Sequence, residues 1–179
     1  MSQETKESRE DILTRVGEDL FNYAAEREDI KFIAAGIPED CEISPDNVEY
    51  ELQILKFISV GWGVAYYIQD REIREFLSSV YWEGIRDLCV SLSRGTGLLI
   101  GQDLDYFEII KERFNTYVRA LNRAGENYSP ASVIGPEFAA VCGKKEDIFC
   151  VHAGTKLFIG VLDRIREYLQ AQGIYTAQQ

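Results

Sequence analysis

Apolar residues recur every three or four positions along most of this chain, the period of helices that bury one face. Over 9–35, Leu13, Val16, Leu20 and Tyr23 fall at 3-4-3 spacing. The second half of that stretch is charged from Glu26 to Asp29, a break near Glu28 is in view, and Gly36-Ile37-Pro38 ends it. A second helix is predicted over 44–69. Ser44-Pro45 offers an N-cap followed by proline at the first helical position. Asp46, Glu49 and Glu51 crowd its start, where the helix dipole favours negative charge. Beyond Leu52 it is apolar nearly all round, through Ile54, Leu55, Phe57, Trp62, Val64, Tyr66 and Tyr67. A helix without a polar face is one surrounded by others. Gly61 and Gly63 each cost about 1 kcal/mol of helix stability relative to Ala, so close approach of a neighbouring helix or a ligand is the expected compensation.

A third helix, 70–93, follows with little linker, so the pair forms either one kinked rod or a tight hairpin. Ile73, Leu77, Val80, Gly84, Leu88 and Leu92 mark its inner face. Arg94-Gly95-Thr96-Gly97 reads as its end and 98–100 as an apolar loop, tucked under the bundle or presented to a partner. Over 103–124, Phe107, Ile110, Phe114, Tyr117 and Leu121 keep a 3-4-3-4 register, with Gly125 placed as the C-cap. Two proline-punctuated turns, Ser129-Pro130 and Gly135-Pro136, precede a short helix over 136–141. The last helix, 146–172, carries Ile148, Val151, Thr155, Phe158, Leu162, Ile165 and Leu169 on one face. Cys150, Gly154, Leu157 and Val161 extend that face toward a second neighbour, and Gly154 and Gly160 suggest close crossings.

No β-branched run alternates with polar residues for long enough to require a strand. The expectation is an all-α, single-domain bundle of five to six helices, with helices 44–69 and 146–172 central. It spans 1–179, with 1–8 disordered.

Composition narrows the partners. Thirty acidic residues against 19 basic ones give a net charge of −11, which opposes the counterion replacement that nucleic-acid binding needs. No dense basic run offsets it. The longest apolar run, 57–68, covers about 18 Å as a helix against about 30 Å of bilayer hydrocarbon, so no transmembrane segment is expected. Without an apolar leader, a cytoplasmic location follows. Four cysteines (Cys41, Cys89, Cys142, Cys150) at irregular spacing then read as reduced and buried.

Candidate chemistry is sparse. His152 is the single histidine, which removes the usual di-iron bundle with its two Glu-x-x-His pairs and the His-Glu-x-x-His zinc proteases. Cys142, Cys150 and His152 would need a further ligand, Cys41 or Cys89, to hold zinc, and Cys150 and His152 point about 200° apart on a helix. Buried cysteines and a solvated edge histidine account for the same residues. Glu72-x-x-Glu75 and Glu83-x-x-x-Asp87 resemble the magnesium-binding carboxylates of all-α nucleotide pyrophosphohydrolases. In those enzymes the two pairs come from separate helices, whereas here all four residues share one, as in an ordinary acidic face. Asp103, Asp105 and Glu108 suit a helix start, with Asp103 as N-cap. Gly95-Thr96-Gly97-Leu98-Leu99-Ile100-Gly101 has the glycines of a phosphate loop but follows a helix and lacks the Gly-Lys-Ser/Thr end.

The aromatics remain. Trp62 and Tyr66 beside Gly61 and Gly63, with Tyr81 and Trp82 on the next helix, are the candidate ligand pocket, although ordinary core packing explains them as well. Three readings follow. The leading one is a non-enzymatic helical module that binds another protein or itself as a homodimer, without a cofactor. The others are a small-molecule or lipid-binding bundle with an aromatic pocket, and a magnesium-dependent hydrolase using Glu72, Glu75, Glu83 and Asp87.

Overall fold

The computed structural model describes residues 8–38, 43–100, 104–125 and 127–175, with backbone alone at 99 and 100. They hold seven helices and no strand: α1 (Arg9–Ala25), α2 (Glu28–Ala34), α3 (Pro45–Tyr67), α4 (Arg71–Ile100), α5 (Tyr106–Ala124), α6 (Pro130–Val141) and α7 (Ile148–Ala171). The all-α bundle expected from the periodicity is therefore present. The disordered start expected over 1–8 lies outside the described residues except for Ser8, which caps α1. Its hydroxyl accepts the Asp11 N–H at 3.1 Å, and the Asp11 carboxylate accepts the Ser8 N–H at 3.1 Å, a reciprocal capping box.

Helix α3 is the axis. It packs against each of the other six, which follow one another around it in the order α1, α4, α5, α6, α7, α2. That arrangement is why α3 has no polar face. Val48, Leu52, Leu55, Ile58, Val60 and Val64 are all buried against a neighbour, each such side chain contributing about 1.5–3 kcal/mol. Helix α7 packs most heavily on α3 and α6. Between α3 and α4 the chain makes a tight hairpin rather than a kinked rod. Asp70 turns it, its side chain accepting the Ile73 N–H at 3.1 Å.

Three polar residues are buried in α3, and each is satisfied. Ser59 donates to the Leu55 carbonyl at 2.7 Å. Glu51 accepts two hydrogen bonds from the Arg113 guanidinium of α5, at 2.9 and 2.7 Å. Only Asp46 of the three expected first-turn acids lies in that turn; Glu49 and Glu51 fall beyond it, and Glu49 pairs with Arg27 at 3.1 Å. Lys56 donates to the Glu26 carbonyl and to Asp29, both at 2.9 Å, and its ammonium lies 4.4 Å from the centre of the Tyr23 ring. The lysine explains why the stretch 9–35 is two helices: it takes a carbonyl at the end of α1 that a continuous helix would have used itself.

Two other boundaries and one cap differ from expectation. Helix α4 does not stop at 93 but runs through Gly95 and Gly97, so 98–100 is its last turn and not a loop. Thr96 and Tyr106 hydroxyls meet at 3.1 Å and hold this end to α5. Helix α6 begins at Pro130, and Pro136 lies inside it. Ser44 stands at the N-cap of α3, but its hydroxyl makes no capping hydrogen bond. Gly125 ends α5 at φ 76° as expected, and Asp147 caps α7 by accepting the Cys150 N–H at 2.8 Å.

The glycines divide. A Cβ on Gly61 would come within 2.5 Å of the Trp82 ring, and one on Gly63 within 2.9 Å of Ile165. Gly154 meets Phe138 in the same way, at 2.7 Å. Gly160 does not mark a crossing, because a Cβ there would meet nothing within 4 Å.

Candidate functional site

One face of α5 carries Phe107, Ile110, Lys111, Phe114, Asn115 and Val118, the i, i+3, i+4, i+7 recurrence of a helical stripe. The stripe does not close completely onto α3 and α4. It leaves a cleft of about 600 Å³, bounded across from α5 by Gly61, Trp62 and Ala65 of α3 and by Ser78 and Trp82 of α4. The Trp62 ring lies 6.4 Å from that of Phe114 and 6.0 Å, edge to face, from that of Phe158. Trp82 lies against the bare backbone at Gly61, 5.1 Å from the Tyr81 ring. Tyr81 is itself fixed by donating its buried hydroxyl to the Phe57 carbonyl at 2.7 Å. Both tryptophans therefore stand on supported backbone, and the cleft opens to the surface past Ala65 and Phe114, which are exposed.

Apolar and aromatic groups dominate this lining. Its polar members are Ser78, Asn115 and Lys111, and Lys111 is its one charge among the described residues. The Lys111 ammonium pairs with Glu108 at 2.8 Å and lies 5.2 Å from the centre of the Phe107 ring, over which the Arg86 guanidinium also sits at 5.4 Å.

Of the four candidate pocket residues, Gly61 and Trp62 line the cleft and Gly63 and Tyr66 do not. Gly63 faces α7 through Ile165, and Tyr66 is half exposed, packed edge to face on Tyr67 at 5.1 Å. Trp82 completes the pocket from α4, while of the α5 wall only Phe107, Ile110 and Phe114 were legible, as members of a core stripe. A smaller cavity of about 370 Å³ shares Ile110 with the cleft and lies among Tyr50, Gln53, Phe57, Cys89 and Tyr106. Burial pushes the Cys89 thiol up to about 11, which leaves it a poor nucleophile.

The other candidates stay apart. Glu72, Glu75, Glu83 and Asp87 are all exposed along α4, spread over about 22 Å of helix, and Glu75 is paired with Arg71 at 2.7 Å. Cys142 and Cys150 are buried thiols that meet one another, and burial raises Cys142 further above its ordinary range. His152 is exposed on α7. Cys41, the further ligand considered for zinc, lies outside the described residues, as does Asp103. No group of three or more metal-ligating side chains forms among the described residues. Asp105, not Asp103, caps α5, accepting the Glu108 N–H at 3.0 Å. No helix among them is long and apolar enough to cross a membrane.

The chain matches no protein-family model, no curated protein and no solved structure.

Proposed function

We propose that this is a non-enzymatic helical binding protein that takes a largely apolar small molecule into the cleft between α3, α4 and α5. The observation that carries the reading is the cleft itself: about 600 Å³ walled by two tryptophans, two phenylalanines, Ile110 and Val118. Small-molecule sites run from about 300 to 1,000 Å³ and combine apolar walls with a few placed polar groups. Ser78, Asn115 and Lys111 supply hydrogen bonds and one charge, which is the equipment of recognition rather than of bond breaking. A cytoplasmic setting and no nucleic-acid partner belong to the same proposal, supported by the buried thiols and the net charge of −11.

The test is binding of a neutral solvatochromic dye such as Nile red to the folded chain and to Ala65→Trp. Ala65 is exposed at the mouth of the cleft, so the larger ring fills the opening without entering the core. Saturable fluorescence with the native chain and its loss in the variant are expected. Equal binding by both would overturn the reading.

A second reading, association with another protein, is favoured by Val90, Leu92 and Leu98 on the final turns of α4, which are 40%, 48% and 89% exposed. A second copy of the chain is the partner to test first, by light scattering of the native protein and of Leu98→Lys. A monomer at high concentration would end the homodimer form of this reading.

A further inference from the structure

We infer that the ligand of this cleft is an anionic amphiphile, an apolar body bearing a carboxylate, and that Lys111 and Asn115 receive its head. The inference rests on the reading of the cleft as a ligand site and adds the chemistry of the ligand.

The cleft and such a ligand are complementary in charge. The chain carries 30 acidic residues against 19 basic ones, so its charge is acidic on average. The described lining of this cleft has no carboxylate, and its single charge is an ammonium. Lys111 and Asn115 stand four residues apart on α5 and so project from the same face one turn from each other. Between them they offer an ammonium and an amide N–H pair, a donor set matched to the two oxygens of a carboxylate. On the facing wall Ser78 adds a hydroxyl.

The present partner of Lys111 does not compete strongly. Glu108 lies at 2.8 Å, but the two side chains are 53% and 56% exposed, and exposed pairs of this kind contribute little. A ligand carboxylate seated against the Phe107 and Phe114 rings is less solvated, and hydrogen bonds to charged groups gain from that setting. Arg86 adds a second cation above Phe107. The adjoining depression across Trp82 holds Glu75 and Glu83 with Arg74 and Arg86, two charges of each sign, so it does not cancel the ammonium.

Trp62 and Trp82 are the only tryptophans in the chain and both line the cleft, so intrinsic fluorescence reports occupancy directly. The experiment titrates the full chain and Lys111→Met with decanoate, decanol and decylammonium at neutral pH. Decanoate is expected to bind the native chain about tenfold more tightly than decanol, with decylammonium weakest. In Lys111→Met that preference collapses, because decanoate loses more affinity than decanol does. Lys111→Gln provides the same reading should the methionine variant fold poorly. Equal affinity for decanoate and decanol, tightest binding by decylammonium, or an undiminished carboxylate preference in both variants would each sink the head-group inference and leave the apolar cleft standing. Failure of all three probes to perturb the tryptophans would remove the cleft reading itself.

Discussion

The ammonium of Lys56, without exposed surface, lies 2.9 Å from both the carboxylate of Asp29 and the carbonyl of Glu26, one residue past the end of α1. One side chain of the axial helix thereby fixes the turn between the first two. Lys56→Met keeps the aliphatic stem and removes the donors. Asp29 is 37% exposed and can rehydrate, so the loss falls on the Glu26 carbonyl and the helix break. Urea unfolding should show a loss of about 2 kcal/mol, and hydrogen exchange should quicken in α2 while α6 and α7 keep their protection. Unchanged stability and exchange would contradict this role.

Glu51 is the reverse case, a carboxylate 2% exposed that depends on one cation. Arg113→Met strands it and is expected to destabilise by about 3 kcal/mol or more, because an uncompensated buried charge is left behind. Adding Glu51→Gln to that variant should recover part of the loss. Chemical denaturation of the two single variants and the double variant measures the coupling, and simple additivity would rule out a direct partnership.

Two glycines on α7 should respond with opposite signs. Gly160→Ala adds a methyl group into open space and removes a helix-weakening residue, so a gain of about 0.5–1 kcal/mol is expected. Gly154→Ala drives a Cβ to 2.7 Å from Phe138 and should cost about 1–3 kcal/mol. Melting temperatures of the pair decide it. A gain in both would show that the α6–α7 contact is looser than described, and a loss in both that Gly160 does not face open space.

Alkaline pH should destabilise the fold. Burial raises Cys89 from 9.0 to about 11, and burial, then the Asp29 charge, raises Tyr23 from 10.0 to about 12. Each keeps its proton in the folded chain after the unfolded chain has released it. Their stabilisation is therefore complete below about pH 9 and falls first through the Cys89 window and then through that of Tyr23. Buried Tyr81, raised further by desolvation, steepens the upper part. Urea midpoints taken from pH 8 to 12 should decline, with Cys89→Ala flattening the early portion. A flat profile would count against these burials.

The helices were legible because each buries a stripe, and a stripe leaves its period in the residues. The apolar circumference of α3 even announced that it is surrounded. What escaped notice depends on partners far along the chain. Lys56 lies 27 residues from Asp29, and Glu51 lies 62 from Arg113, so the first passed unremarked within an apolar helix and the other read as a dipole charge. The end of α4 was misplaced because glycine only biases a helix by about 1 kcal/mol, which the Thr96–Tyr106 contact overrides. In the cleft, Gly61 and Trp62 stood out locally. Gly63, two residues on and so about 200° around the helix, faces the other way. Phe107, Lys111 and Phe114 belong to a stripe whose incomplete closure is a matter of how α5 leans on its neighbours, and no local pattern records that.

The order of helices around α3 also bears on how a nascent chain reaches this state. From α4 to α7 the wrapping is consecutive, each helix settling beside the one made just before it. The pair α1–α2 closes the remaining gap, α1 against α4 and α2 against α7. Made first, α1 finds its seat when α3 and α4 follow, whereas α2 has no complete seat until α7 is made. The charged junction between those two helices, Glu26 to Asp29, meets its partner Lys56 as soon as α3 is made, so the clasp precedes the last of the cover.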